Sequence, residues 1–214
     1  MTETAPPLQA TPRRERTRER LMDAAFDTFA EEGFAASSVE AISERAGFSR
    51  GAFYYNFASK EELFLAMIER SIQRRLGTVD ESATMSGLFG GLGDDEEALL
   101  DLVRGQGDED DLKWVMVITE FRLHAIRGND TATAAKFDTL FRTVIQGLAV
   151  RFAERAGTAG ATFTVPADMV ATLAVGAYME AVIDSAVAQL EPAEGERLTA
   201  ERLVAVLRGL VRQP

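Results

Sequence analysis

The chain has 214 residues, of which 46% are apolar and 27% are charged, and it contains no cysteine. This composition predicts a globular fold, and the missing thiols exclude disulfide bonds, thiolate metal sites and a cysteine nucleophile. The formal net charge of −11 is uneven, because residues 1–78 carry 11 Lys and Arg against 12 Asp and Glu, a net of −1, whereas residues 79–214 carry 12 against 22, a net of −10. The acidic total therefore does not exclude a polyanionic partner for the first part of the chain, where local cations decide binding.

The chain carries no signal for export or membrane insertion. Its first residues, MTETAPPLQATPRR, lack the apolar segment of a secretory signal, and no uninterrupted apolar run reaches the roughly 18 residues that cross a bilayer. We therefore expect a soluble cytoplasmic protein with no membrane partner.

The first helix is expected over about 14–32, behind a disordered tail (1–13) that contains three prolines. Its apolar residues follow the 3.6-residue period, and Gly33 is suited to end it. Between positions 13 and 20 it carries five arginines, which are typical of a solvated helix end.

Two short helices follow. Ser37 with Glu40 three residues later predicts a capping box for a second helix over 38–45, closed by Gly47. Ser49 is expected to cap a third helix over 50–56. Two short helices around a tight glycine-containing turn predict a helix-turn-helix, whose second helix lies in the DNA major groove.

The remaining chain is also expected to be helical. Ser59 caps a fourth helix to about residue 76, and the five glycines of 77–95 indicate a linker or flexible loop, with a short irregular helix around Leu88 as the alternative. Five further helices are expected, over about 96–104, 109–127, 131–156, 166–190, and a last one capped by Thr199. The sequence thus predicts an all-α fold in four parts: a tail (1–13), a helix-turn-helix domain (14–58), a connecting helix (59–78) and a larger helical domain (79–214).

The third helix presents residue types that suit DNA. Arg50, near its start, can donate two hydrogen bonds to guanine O6 and N7, and Gly51 lets the backbone approach a ligand closely. Phe53 and Phe57 are better suited to the core of a small domain. The third helix is therefore a candidate recognition helix.

The string SSVEAISERAGFSRGAFYYNFASKEELF, behind a first helix that ends at Gly33-Phe34, resembles the DNA-binding domain of TetR-family transcriptional regulators over about residues 16–72. The resemblance implies base contacts from Arg50, Gly51 and Ala52. It also implies contacts, mostly to phosphate, from polar and aromatic residues of the same region, namely Ser37, Ser38, Tyr54, Tyr55, Asn56 and Lys60, and we group the capping Ser49 with them. Many members of the family have threonine at the position of Ala52 and histidine at the position of Asn56. The resemblance is therefore a weaker guide to the DNA contacts of these two residues. The arginines between 13 and 20 are either solvated or add contacts to the DNA backbone or minor groove.

The resemblance further implies a C-terminal domain that binds a small effector and forms a homodimer through its last two helices, about 166–190 and 199–212. The effector expected is an apolar or amphipathic organic molecule. Its candidate contacts are the polar and bulky residues of one helix, Trp114, Met116, Thr119, Glu120, Phe121 and His124, which are equally suited to be satisfied core or surface groups.

The function expected is that of a sequence-specific transcriptional regulator, most simply a repressor released from a palindromic operator by its effector. We expect no cofactor, no metal and no enzymatic activity, because the chain has a single histidine and no Gly-x-Ser-x-Gly nucleophile motif. The alternative is an effector- or protein-binding module of the same fold without DNA binding.

Overall fold

A computed structural model describes residues 12–81, 111–128, 131–158 and 160–212 of the chain. These ranges contain eight helices, numbered here in chain order: α1 (Pro12–Glu32), α2 (Val39–Ala46), α3 (Arg50–Asn56), α4 (Lys60–Glu81), α5 (Asp111–Arg127), α6 (Thr131–Thr158), α7 (Ala167–Val187) and α8 (Pro192–Leu210). Two strands of two residues, β1 (Thr162–Phe163) and β2 (Val211–Arg212), pair antiparallel. The all-α fold class is confirmed.

The chain divides between Ile68 and Glu69 into two compact units. Of the segment 77–95, for which a linker was expected, residues 77–81 belong to α4, and the remainder lies outside the described residues together with the helix expected over 96–104. The expected tail also lies outside them, except that Pro12 and Arg13 already belong to α1.

The core of the first unit is aromatic. The ring centroids of Phe29 and Phe34 lie 5.0 Å apart, and Phe64 meets Phe34 edge to face at 5.4 Å. Leu21 and Ile42 are fully buried beside them. Burying side chains of this size contributes roughly 1.5–3 kcal/mol each, so this cluster holds α1, α2 and α4 together.

Local capping signals set the ends of the short helices. Gly47 adopts φ 72° and its N–H donates to the carbonyls of Glu44 and Ser43, so the predicted end of α2 is confirmed. The predicted cap of α2 is wrong by one residue: Ser38 is the N-cap and accepts from the Ala41 amide at 3.1 Å. Ser37 is buried instead, and its hydroxyl donates to the Phe34 carbonyl at 2.9 Å, because the turn before α2 needs this partner.

In the second unit, the helices predicted over 109–127, 131–156 and 166–190 are confirmed within a few residues. The start of the last helix was predicted too late. Pro192 occupies the first turn of α8, where its missing N–H costs little, so this proline begins the helix. Thr199 does not cap it, because it lies buried inside α8 and its hydroxyl donates to the Gly195 carbonyl at 2.9 Å.

The core of the second unit joins α6, α7 and α8. Phe152, Val170 and Leu207 are buried there, with Phe163 of β1 packed against them. The β1–β2 pair places Thr162 opposite Arg212, and strands of two residues are too short to show an alternating pattern in the sequence.

One helix of the described residues, α7, is long and apolar enough to cross a membrane by length and composition, with a mean hydropathy of 1.4 over its best window. Only 28% of that window is buried within the chain. A single helix of this kind is a weak indication of a membrane span, and α7 also carries Asp168, Glu180 and Asp184.

Candidate nucleic-acid interface

The helix α3 has only seven residues and depends on its aromatic backing. A helix this short is not stable alone in water. Phe53 and Phe57 are 0% and 1% exposed, and their ring centroids lie 6.0 Å apart. Ser49 caps the helix as predicted, accepting from the Ala52 amide at 3.3 Å. The position of α3 is thus fixed by buried rings on one side and by a cap at its start.

The opposite side of α3 is open to solvent. Arg50, Gly51, Tyr54 and Tyr55 are exposed, and the Tyr55 side chain retains 73% of its accessible surface. A Cβ added at Gly51 meets nothing nearer than Ser49 Oγ at 3.7 Å, which is ordinary contact. The fold therefore tolerates a side chain at this position, so packing within the chain does not require this glycine.

Arg50, at the start of α3, lies beside an acidic and an aromatic side chain. Its Nη1 lies 2.7 Å from Oε1 of Glu40, and its guanidinium carbon lies 5.4 Å from the centroid of the Tyr54 ring. The hydrogen bond to Tyr54, helped by the Glu40 carboxylate, raises the pKa of Arg50, so the group stays cationic at every physiological pH. Both groups of the ion pair are exposed, so the pair itself adds little to stability.

Two residues expected to contact phosphate are buried in this structure. Ser37 is buried, and its hydroxyl donates to the Phe34 carbonyl. Asn56 is 6% exposed, and its Nδ2 donates to the Ala52 carbonyl at 2.8 Å. Among the residues that the structure describes, Asn56 Oδ1 is a buried acceptor with no hydrogen-bond partner. Neither side chain belongs to the exposed face that carries Arg50, whereas Ser38 and Ser49 are exposed and Ala52 is half-buried.

Lys60, also expected at phosphate, is directed toward backbone carbonyls of the turn between α1 and α2. Its Nζ donates to Phe34 O at 2.5 Å and to Ser37 O at 2.8 Å, and lies 4.5 Å from the centroid of the Phe34 ring. Burial lowers the pKa of Lys60, and the Glu61 carboxylate opposes part of that change. A phosphate contact by Lys60 requires the ammonium to leave these carbonyls, so the geometry favours a structural role.

Replacing Lys60 with methionine is expected to lower the free energy of unfolding by about 1–3 kcal/mol, because the Ser37 carbonyl loses the Lys60 donor and the Phe34 carbonyl loses one of its two side-chain donors. Urea unfolding followed by circular dichroism measures this change. Lys136→Met, at an exposed lysine of α6, is the matched control and should change stability by less than about 0.5 kcal/mol. Equal effects of the two substitutions would refute the structural role of Lys60.

The arginines at the start of α1 are not uniformly solvated. Arg18 and Arg20 are hydrogen-bonded to backbone carbonyls of α3 and α2, and Arg14 lies over the Tyr55 ring at 5.4 Å. This arrangement was not predicted from the sequence. Positive charge near a helix end is recognisable in sequence, but the partner helix in another segment is not.

The six candidate effector residues of α5 do not share one face. Trp114 and Phe121 are buried, and Phe121 packs on Phe137 of α6 with 5.5 Å between ring centroids. Met116 and Thr119 are exposed on the other side of the helix, and Glu120 and His124 lie between, half-buried. The structure therefore brings together only Met116 and Thr119, on a face shared with the exposed apolar residues Leu112, Leu123 and Ile126.

Comparison with protein families gives a match to the N-terminal unit. Residues 21–67 match the family described as bacterial regulatory proteins, tetR family. This segment includes all of α2 and α3, most of α1, and the start of α4.

Two relatives each match about a third of the chain. The chain is 35% identical over 80 residues to the HTH-type transcriptional repressor AcnR of Corynebacterium efficiens, covering 37% of this chain and 43% of AcnR. It is 37% identical over 71 residues to the HTH-type transcriptional activator FasR of Mycolicibacterium smegmatis, covering 33% of this chain and 32% of FasR. The alignments thus span less than half the length of either relative.

A solved structure extends the likeness beyond the N-terminal unit. Salmonella enterica GusR superposes with a TM-score of 0.67 and 25% sequence identity, covering 98% of both chains. Residues 21–67 thus match the tetR family of bacterial regulatory proteins, and the fold of the chain is similar to that of GusR over 98% of its length.

Proposed function

We propose that this protein is a sequence-specific DNA-binding transcriptional regulator that works in the cytoplasm as a homodimer. The single observation that carries the proposal is the geometry of α3: a capped helix on buried rings that presents Arg50 and Gly51 to solvent. Arginine at the start of a recognition helix reads guanine through two hydrogen bonds in the major groove. We expect base contacts from Arg50, Gly51 and Ala52, with phosphate contacts from the exposed residues around them, Ser38, Ser49, Tyr54 and Tyr55.

We propose repression as the direction of control. The relative AcnR is described as a repressor, whereas FasR is described as an activator, so the DNA-binding domain alone does not decide the direction. A regulator represses when its site overlaps the promoter. A reporter gene behind the protein's own upstream region, with and without the protein, measures the direction.

The homodimer is supported by an exposed stripe along α7. Met169, Leu173, Ile183 and Val187 are exposed large apolar residues that recur at helical spacing on one side of the helix, with Gly176 between them. Single chains rarely expose a contiguous apolar stripe of this kind, and a second copy of the chain would cover it. A two-fold dimer presents two recognition helices about 34–36 Å apart, so the operator should be a near-palindrome with half-sites one helical turn apart.

Leu173→Glu is expected to dissociate the dimer, because an ionised carboxylate would be buried in the apolar contact. We expect the dimer dissociation constant to rise by about 100-fold, equivalent to roughly 3 kcal/mol, in sedimentation velocity runs over a concentration series. Leu112→Glu is the matched control, since Leu112 of α5 is similarly exposed, at 37% against 45% for Leu173. A Leu173→Glu protein that stays as dimeric as the Leu112→Glu protein would show that the α7 stripe is not the interface.

We propose a small apolar or amphipathic organic effector that lowers operator affinity. Support comes from the family and from the exposed apolar face of α5, which also carries Met116 and Thr119. An effector releases DNA only if it binds the DNA-free conformation more tightly than the DNA-bound one. Calorimetric titration of an effector candidate, with and without operator DNA, tests this coupling directly.

Selection of bound duplexes from a random 30-base-pair library tests the proposed function. Enrichment of one near-palindromic sequence, bound at least about 1,000-fold more tightly than a shuffled duplex, is the expected result. Failure to enrich any sequence would remove the proposal and favour the alternative, a ligand- or protein-binding module of the same fold.

A further inference from the structure

Arg18 of α1 closes the end of the recognition helix. Its Nη1 donates to the carbonyl of Asn56 at 2.7 Å, and Asn56 is the last residue of α3. Its guanidinium carbon also lies 4.2 Å from the centroid of the Phe57 ring. The planar guanidinium therefore makes two contacts at the C-terminal end of α3, one to a helix carbonyl and one to a buried ring.

Arg20 makes the corresponding contacts at the end of α2. Its Nη2 donates to the carbonyl of Ala46, the last residue of that helix, at 2.8 Å, and its guanidinium carbon lies 4.8 Å from the Phe48 ring centroid. A Cβ added at Gly47 would lie 3.2 Å from Arg20 Nη2. Arginine and glycine thus fit closely at the turn that joins α2 to α3.

These contacts follow a single physical rule. The last carbonyls of an α-helix have no partner within the helix and carry the negative end of its dipole, so a cation at that position is favourable. The arginine fork supplies directed donors while its flat face stacks on an aromatic ring. Both helices of the helix-turn-helix are closed in this way by side chains from the same helix, α1.

We propose that Arg18 and Arg20 are positioning residues, which fix the ends of α3 and α2 on α1 and do not contact DNA. The inference rests on the proposed function, since it concerns how the recognition helix is aimed. Base contacts are lost when a side chain is misplaced by about an ångström, whereas a flexible cation still finds a phosphate. Arg18 and Arg20 therefore act on sequence discrimination and not on general DNA affinity.

The test compares Arg18→Ala and Arg20→Ala with Arg16→Ala, which removes an exposed arginine from the same helix. The probes are the duplex enriched by the parent protein from the random library and a shuffled duplex of equal length. Affinity for each duplex is measured by fluorescence anisotropy at several salt concentrations. Amide hydrogen exchange of residues 50–57 is measured in the free protein.

We expect Arg18→Ala and Arg20→Ala to lower affinity for the enriched duplex at least tenfold while leaving affinity for the shuffled duplex within twofold. The slope of log affinity against log salt should stay unchanged, because no phosphate contact is lost. Exchange at the end of α3 should rise at least tenfold in Arg18→Ala. Arg16→Ala should leave the ratio of the two affinities and the exchange rates unchanged.

An equal loss on both duplexes, with a salt slope reduced by about 0.9, would assign a phosphate contact and overturn the proposal. Unchanged affinity for the enriched duplex would overturn it as well. If an alanine variant does not fold, the corresponding lysine variant, which keeps the charge but loses the planar fork, is judged by the same criteria. A parent protein that enriches no sequence contradicts the proposed function, and the exchange measurement then tests the positioning role by itself.

Discussion

Replacing Arg50 with alanine is expected to lower affinity for the operator by about 1–3 kcal/mol and to relax the preference for guanine at one position in each half-site. The physical reason is geometric. Arg50 is the first residue of α3, and the N-terminal side chains of a recognition helix are the ones that reach base edges in the major groove. Binding curves on operator variants that change one base pair at a time measure the loss of discrimination.

The matched control for Arg50 is Arg45→Ala. It removes the same charge from the same unit, but Arg45 lies in the last turn of α2, outside the recognition helix. It should lower affinity for all duplexes alike, if at all. An Arg50→Ala protein that keeps the parent's base preference at every operator position would show that another residue reads the DNA.

Phe53→Ala is expected to lower the free energy of unfolding of the first unit by about 3–5 kcal/mol, because it opens a cavity behind α3. Phe53 is fully buried and contacts the rings of Tyr54 and Phe57. Chemical unfolding followed by the circular dichroism of the helices measures this loss. At a temperature where the variant is still folded, operator discrimination should also fall, because α3 loses the surface that holds it.

Tyr55→Ala is the control for Phe53, since it removes a similar ring from a site two residues away that is 73% exposed. Its effect on unfolding should stay below about 1 kcal/mol. Comparable losses from the two substitutions would mean that α3 is not held by its buried rings.

Sequence signals were sufficient for elements whose ends depend on neighbouring residues. Gly33 and Gly47 end α1 and α2 by adopting a positive φ, and Ser49 begins α3 by accepting one hydrogen bond from a backbone amide. The structure confirms all three predictions. The Ser37-Ser38 pair shows the limit of this reasoning, because both residues are suitable caps. The choice of Ser38 depends on how the preceding turn uses the Ser37 hydroxyl.

The direction of long polar side chains was not predictable from the sequence. Lys60 and Asn56 have suitable chemistry for phosphate, yet each finds a backbone carbonyl within the first unit. Arg18 finds its partner 38 positions later in the chain. The hydrogen-bond partner of each side chain depends on which backbone carbonyls the tertiary fold places near it.

Local sequence signals were also insufficient for parts of α5 and α8. The apolar pattern of α5 surrounds the helix, so periodicity did not separate Trp114 and Phe121 in the core from Met116 on the surface. Thr199 was expected to cap the last helix, but a proline also fits the first turn of a helix, and Pro192 is in that position in α8. The apolar pattern of α5 and the proline of α8 were each compatible with two local structures.

Methylation interference on the enriched duplex tests whether Arg50 on α3 contacts bases in the major groove. Methylating guanine N7 blocks an arginine contact in that groove, whereas methylating adenine N3 marks the minor groove. We expect interference at guanine N7 in two positions about 10 base pairs apart, and we expect it to be absent with the Arg50→Ala protein. Interference confined to adenine N3, or the same guanine pattern with Arg50→Ala, would contradict this expectation.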